Sequence, residues 1–566
     1  MNKKSLRLIL LLAVMGAVCA AGLFLNARNV SFCPGADGTV AVRIKRNAIE
    51  ETVRPWYCEA EDTYYLFLPS ALCGREIYGD QLEMPLYIDG EEIPKRGRFA
   101  WEDGQTCHMT YGDFDGNVKF MASSGLPSVF INTEAHYRQQ VNADKTAIVP
   151  GALVVFDEKG SISYNGGMTI SGRGNSTYTL FEKKPYNIEL DKPACILGMP
   201  RDRDWCLLAN TWDYSYMNNK LAYDMAEKAG FRYVPDAEYA DVYFNGDYQG
   251  IYLVAEKVEV NRDRVRISDL KTANENANPG TVIAEAEKFD EGNRRGVFLD
   301  HVPADITGGY LLERDYRLDA DYPSRVMTAS YFETEGNGTA FNIKSPEYAD
   351  LREVEYIRAL TSEMEQAILA ENGVSETGKH YLDYIDLTSW VRCYMIAEIA
   401  YDLDKDVTNT YYYKNADVID SRFYSEPVWD YDNRFGGAEK YSSAEVLTRL
   451  AYGGWDQTGG WSQYLYEKPE FFEAVCREWN TFFRKYLSEE APGMIDSWRE
   501  QTGRSVAMDL VRWPRGENSP VRWPGRDGFS DRYSYDEAVE YLKDWIGERC
   551  AFLDAYWGET REGSSK

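Results

Sequence analysis

The dominant hydrophobic period shifts along this chain from strand-like to helical, and that shift limits the folds open to it. Up to about residue 313, short apolar runs such as Thr39–Ile44, Tyr64–Pro69, Leu126–Ile131, Ala240–Phe244, Gly250–Val254 and Gly308–Glu313 stand between Gly, Asp, Asn and Pro turns, the pattern of β-strands. After about residue 350, Leu351, Val354, Ile357, Leu360, Met364 and Ile368 recur at spacings of three and four, which predicts an amphipathic helix. Further helices are predicted at 387–403, 469–487 and 535–557. The segment 387–403 is apolar on most faces but carries Glu398, either a group supporting a site or an edge residue with its head in water. Strands first and helices after give an α+β protein.

Within the strand-rich part, residues 30–120 have the rhythm of a small β-sandwich. A second β-rich segment runs from about 126 to 190, with turns at Asp157–Gly160 and Tyr164–Gly167. Asp213 and Ser215 offer caps to a helix from about Tyr216 to Ala229, stopped by Gly230. Asn245-Gly246 predicts a hairpin, and the polar stretch 261–304 reads as an extended loop. Three regions follow: 1–27, 28–122 and 123–560.

Lys3, Lys4 and Arg7 precede an apolar run from Leu8 to Leu25, the pattern of a secretory signal or signal anchor. Export follows in either case, to the extracellular space, the cell surface or a membrane anchor, and the only membrane contact expected is through this segment. Val18 before Cys19 fits a lipoprotein cleavage site poorly. Cys33, Cys58, Cys73 and Cys107 could form two disulfides in three connectivities, while Cys195, Cys206, Cys393, Cys476 and Cys550 read as buried free thiols. The net charge of −29 argues against a nucleic-acid partner. Four dispersed histidines and the lack of a CxxC pair argue against a histidine or zinc centre.

Two constellations carry chemistry. In Ser171–Tyr178, Gly172 and Gly174 allow backbone N–H groups to approach an anion. Lys184 then shares the parity of Tyr186, Ile188 and Leu190, which reads either as a lysine pointing inward, where it needs an anionic partner, or as a lysine snorkelling from a hairpin loop. Arg173, Gly174, Asn175, Ser176 and Lys184 are therefore candidate phosphate or nucleotide contacts. Asp224, Glu227 and Glu256 are open as acidic partners of Lys184. The second constellation begins with Asp404 and Asn409, whose spacing matches the Asp-x4-Asn of a kinase catalytic loop; Asp406 competes for the role of Asp404. Pro427–Asp432 then reads as a strand with Asp430 and Asp432 on one face, a pair that a hard divalent cation would stabilise.

Arg173–Tyr178, Lys183–Tyr186, Val242–Tyr252 with Glu256, Gly308–Glu313, and Trp429–Asp432 with Gly436 occur in this order over about residues 125–490. Together they resemble the spore-coat protein H (CotH) kinase family, an atypical protein-kinase-like group. The resemblance implies a two-lobed kinase-like domain behind the β-sandwich-like module. It also implies ATP-dependent phosphorylation of protein Ser or Thr. Lys184 would contact phosphates, Asp404 would be the base, and Asn409 with Asp430 or Asp432 would hold Mg²⁺ or Mn²⁺. The chain departs from many relatives in having Lys405, Asp406 and Val407 where they place a histidine. The competing reading is a non-catalytic exported surface or carbohydrate-associated binding protein on the same fold. Val511–Gly516 is nearly repeated at Val521–Arg526; these Arg-Trp loops read as self-stacked cation–π pairs, or as grips for an acidic or sugar ligand.

Overall fold

The computed structural model describes residues 29–79, 82–315, 328–436, 449–451, 460–514 and 534–558. Its first part is two β-sheets. One has the strand order Ile49–Val53, Val40–Arg46, Val30–Pro34, Glu76–Tyr78, Arg98–Ala100; the other runs Trp56–Cys58, Thr63–Leu68, Phe114–Ala122, Thr106–Tyr111, Leu86–Ile88, Glu91–Ile93. Phe32, Val42 and Ile77 of the first sheet share a buried core with Phe67, Met109 and Phe120 of the second, as alternating inward residues of a sandwich do. The nine cysteines from Cys33 to Cys550 are all free thiols, so the disulfides considered above do not form. Cys195 is exposed and Cys476 half-buried, against the expectation of burial.

Next comes a closed barrel: Ser128–Asn132, Ile148–Phe156, Ile162–Gly172, Tyr186–Ala194, Asp202–Leu208, Asp247–Glu256 and Ala237–Phe244. The seventh strand closes on the first in parallel, Val129 beside Val242. Ile131, Ile170, Ile188, Leu190, Trp205 and Val254 fill the interior. Asn245 and Gly246 have φ of +52° and +86°, the hairpin geometry their sequence predicts. The turn predicted at Tyr164–Gly167 is instead mid-strand. A Cβ on Gly167 would lie 2.1 Å from Asp191 Oδ2 and one on Gly166 would lie 2.5 Å from the Tyr164 hydroxyl. These glycines admit neighbouring side chains rather than a reversal.

The helix Asn218–Ala229 interrupts the barrel sequence and ends at Gly230 in the left-handed conformation. Asp213 Oδ2 accepts from Asn218 N at 2.7 Å and Ser215 Oγ from Met217 N at 3.2 Å, so both hold the entry to the helix, but the helix starts at Asn218 rather than Tyr216 and its N-cap is Met217, without a side-chain cap. A second antiparallel sheet has Tyr310–Arg314 between Ala340–Ser345 and Thr410–Lys414. The helices Leu351–Leu369, Leu387–Ala400, Pro469–Glu478, Ala491–Arg512 and Tyr535–Trp557 follow, so strands and helices are largely segregated, as in an α+β fold. The helix Ala491–Arg512 packs back on the barrel strand Asp247–Glu256.

Two further expectations change. The stretch 261–304 holds the helix Leu270–Ala277, capped by Asp269, and the hairpin Lys288–Asp290 with Arg294–Val297. Its buried apolar residues Val265, Leu270, Phe289, Val297 and Leu299 are spaced to anchor each piece in the core. Pro427–Asp432 forms no strand: Asp430 has φ +66°, which breaks the period-2 alternation. Glu398 is buried, accepting from Ala451 N at 2.6 Å and Arg549 Nη2 at 3.2 Å, so its head is not in water. Among the described residues no helix is long and apolar enough to cross a membrane; the apolar run Leu8–Leu25 lies outside them, as does Val521–Arg526. In the first Arg-Trp copy, the Arg512 guanidinium sits 3.8 Å from the Trp513 ring centroid and 5.1 Å from that of Trp56, the self-stacked arrangement.

Candidate active site

The helix Leu387–Ala400 ends on Tyr401, whose left-handed conformation turns the chain into the loop 402–409. This loop is held at four points. Asp404 Oδ2 accepts from Arg434 Nη2 at 2.6 Å. Asp406 accepts from Ser462 N at 2.7 Å and lies 3.5 Å from Arg314 and 3.6 Å from Lys405. Thr408 Oγ1 donates to Asp315 Oδ1 at 2.8 Å, and Asn409 Nδ2 to Asp430 Oδ2 at 2.8 Å. Burial alone would raise the Asp406 pKa, but Lys405, Arg314 and Ser462 outweigh it and keep the group a carboxylate. Asp406 is thus a buried anchor, and the half-buried Asp404 is the more exposed of the two acids.

Asn409 and Asp430 both adopt left-handed backbone, at φ +57° and +66°, a conformation these residue types tolerate. It turns two adjacent segments so that their side chains meet. Asp432 follows on a turn pinned by the helix Asn218–Ala229: Asn218 Nδ2 donates to the carbonyls of Asp432 at 3.1 Å and Arg434 at 3.0 Å, and Asn219 Oδ1 accepts from Tyr431 N at 2.8 Å. Burial, then the charge of Asp430, pushes the Asp432 pKa well above the carboxylate range, and Arg434 only partly offsets this. Asp430 is raised as well, by burial first, against the opposing charges of Arg173 and Arg434. Asp213, Glu313, Asp402 and Asp404 are electrostatic neighbours of these groups, so six carboxylates face two guanidiniums. All the donor atoms are hard oxygens, and the repulsion is of the kind a divalent cation relieves. Asn409, Asp430 and Asp432 therefore fit such an ion by chemistry and charge. A separate acidic trio, Asp202, Asp204 and Glu259, has oxygens within 4.8 Å of one another, but Arg264 and Lys257 already pair with it.

The glycine loop reaches the acidic cluster through one side chain. Arg173 lies with its guanidinium 5.4 Å from the Trp429 ring centroid and within electrostatic range of Asp430. Gly174, at φ +77°, and the exposed Asn175 and Ser176 form the tip; Asn175 Oδ1 accepts from Lys145 Nζ at 3.0 Å. Lys184 is not the inward lysine. It is half-buried, donates to Tyr178 O at 2.6 Å and sits 5.0 Å from the Tyr178 ring centroid. Lys183 is the buried one, donating to Asp509 Oδ1 at 2.6 Å and Ile251 O at 2.7 Å. None of Asp224, Glu227 and Glu256 pairs with either: Asp224 accepts from Tyr486, and Glu256 from Tyr233 and Asp236.

The structure thus brings Asp404, Asn409, Asp430, Asp432 and Arg173 together and leaves Lys184 on its own loop. Sequence reasoning missed Asp402, Arg434, Asp213 and Glu313. A basic residue two positions after Asp432 in an acidic run was the available signal for Arg434.

The family model described as "CotH kinase protein" matches residues 170–553, about two thirds of the chain. The chain belongs to the CotH kinase family. No curated protein matches it. CotH membership points to a kinase-like function, and kinase-like families in general use ATP and a divalent metal. The match takes in every residue of the acidic cluster and begins inside the third barrel strand, Ile162–Gly172.

Proposed function

We propose that this CotH protein is an ATP-dependent kinase that phosphorylates Ser or Thr hydroxyls of a protein substrate outside the cytoplasm, with the barrel and the helical part acting as its two lobes. The observation that carries this reading is the Asn409–Asp430 contact beside Asp404. It joins the Asp-x4-Asn loop to the later aspartates, which supports a shared metal-binding role of the kind phosphoryl transfer uses. Asp404 accepts the hydroxyl proton as the substrate oxygen bonds to the γ-phosphorus and the bond to the β,γ-bridging oxygen breaks, releasing ADP. Arg173 approaches the phosphates from the glycine loop, taking the part first read for Lys184, while Gly174, Asn175 and Ser176 offer the loop backbone. Asn409, Asp430 and Asp432 would hold Mg²⁺ or Mn²⁺, which when bound supplies the charge that offsets their repulsion and neutralises the nucleotide. What supports an activity at the surface or beyond it is the sequence reading of Lys3, Lys4, Arg7 and the apolar run to Leu25 as an export signal.

The test is calorimetry and thermal unfolding with ATP and Mg²⁺. At about 100 times the dissociation constant, binding adds roughly 2.7 kcal/mol, and the midpoint rises by several degrees. Replacing Asp430 and Asp432 together by Asn removes the rise. A folded wild type whose midpoint ignores saturating ATP and Mg²⁺ would sink the kinase reading in favour of a binding protein on the same fold.

A further inference from the structure

Arg434 is 2% exposed and grips two carboxylates: Nε donates to Asp402 Oδ1 at 2.5 Å and Nη2 to Asp404 Oδ2 at 2.6 Å. Asp404 N also donates to Asp402 Oδ1, at 3.0 Å. Two buried ion pairs elsewhere, Lys183–Asp509 and Glu398–Arg549, have both partners enclosed. The Arg434–Asp404 pair differs, because the guanidinium is enclosed while the Asp404 side chain is 20% exposed. One end of this bridge faces the site. The backbone at the other end is fixed: Arg434 O accepts from the Asn218 amide that also holds Asp432 O, and Phe435 N donates to Ala400 O at 2.8 Å, at the end of the helix that leads into the Asp404 loop.

We infer that Arg434 is a positioning residue for phosphoryl transfer, acting through Asp404 and locking the candidate base to the turn that carries Asp430 and Asp432. The kinetic half of this inference rests on the kinase reading; the contact does not. Without Arg434, Asp402 and Asp404 repel each other and the base carboxylate swings away from the metal-binding turn. Lysine cannot replace it, because a point charge lacks the fork that meets two carboxylates at fixed angles. Displacing a catalytic group by about 1 Å costs on the order of 10²-fold in rate.

Arg434→Lys, Asp404→Asn and the double variant are made in the full chain. Each is measured for Mg²⁺–ATP affinity by calorimetry, for phosphate transfer to dephosphorylated casein, and for unfolding midpoint. Arg434→Lys is expected to lower kcat by about 10-fold or more, with Mg²⁺–ATP affinity changed by less than about 3-fold. The double variant is expected to be no slower than Asp404→Asn, since residues acting as a unit are non-additive. Rate losses that multiply, or a fall in affinity matching the fall in kcat, would overturn the role. If Arg434→Lys does not fold, Asp402→Asn takes its place in the same cycle. A wild type that binds nucleotide but transfers no phosphate defeats both the kinase reading and the kinetic role. Additive midpoint shifts defeat the Arg434–Asp404 contact alone.

Discussion

Lys183 and Lys184 are neighbours with opposite fates, and the reason lies in Pro185. Counting parity backward from Tyr186, Ile188 and Leu190 assigns Lys184 to the interior, but the strand begins at Tyr186, and Pro185 constrains the residue before it. Alternation does not extend across that boundary. Lys183 is buried because Asp509, 326 residues away, waits for it; no local pattern announces such a partner. Asp509 also accepts from the Tyr216 hydroxyl at 2.7 Å and Ile251 N at 3.0 Å, and a Cβ at Gly250, φ +107°, would lie 1.9 Å from its Oδ1. Removing one partner of such a pair strands a buried charge. Asp509→Ala is therefore expected to destabilise the protein by about 3–5 kcal/mol, and Lys183→Met with Asp509→Leu by much less, measured by denaturant unfolding. By contrast, Asp404, Asn409, Asp430 and Asp432 were legible because short connections on adjacent segments carry them. Arg434 and Asp402 were not, since a side chain's grip on a neighbour has no periodicity.

Elements whose period spans several turns were readable from the chain. The helices 351–369 and 535–557 and the Asn245-Gly246 hairpin lie where their residues place them. The failures are elements set by one backbone angle or one distant contact: Pro427–Asp432, where Asp430 turns left-handed, and 261–304, where single apolar anchors substitute for a pattern. The junction of the helix Ala491–Arg512 with the barrel is polar, with Asp241 accepting from Tyr248 Oη at 2.9 Å and Ser505 Oγ at 3.0 Å. Burial pushes the Asp241 pKa from 3.8 to about 7. A folded value above the unfolded one means that its contribution to stability is complete below about pH 4 and lost as pH rises through about 7. Asp241→Asn is expected to flatten the fall in stability over that window, as followed by denaturant midpoints at several pH values. An unchanged slope would show that the aspartate does not titrate there.

At the scale of the whole molecule, the change of period foretold α+β, but the closure of the barrel was hidden, because it depends on Val129 meeting Val242 in parallel. The family match starts at residue 170, after the first two barrel strands. A chain beginning there lacks both, and most of the third strand, Ile162–Gly172, and has open edges, so it is expected to aggregate without a cooperative transition. One beginning at residue 126 keeps the barrel but uncovers Phe130, Phe156, Tyr243 and Tyr248, which pack into the sandwich core. It is expected to be soluble with a lower midpoint than the chain from residue 29, as scattering and thermal unfolding would show. Equal midpoints would mean that the sandwich adds nothing to barrel stability. The Lys183–Asp509 pair also sets an order of events during synthesis. At about 5–20 residues per second, the ribosome needs roughly 16–65 s after Lys183 to deliver Asp509. The carboxylate that Lys183 is buried against thus arrives long after the last barrel strand, which ends at Glu256, so this ion pair is among the last contacts of the barrel that the growing polypeptide can make.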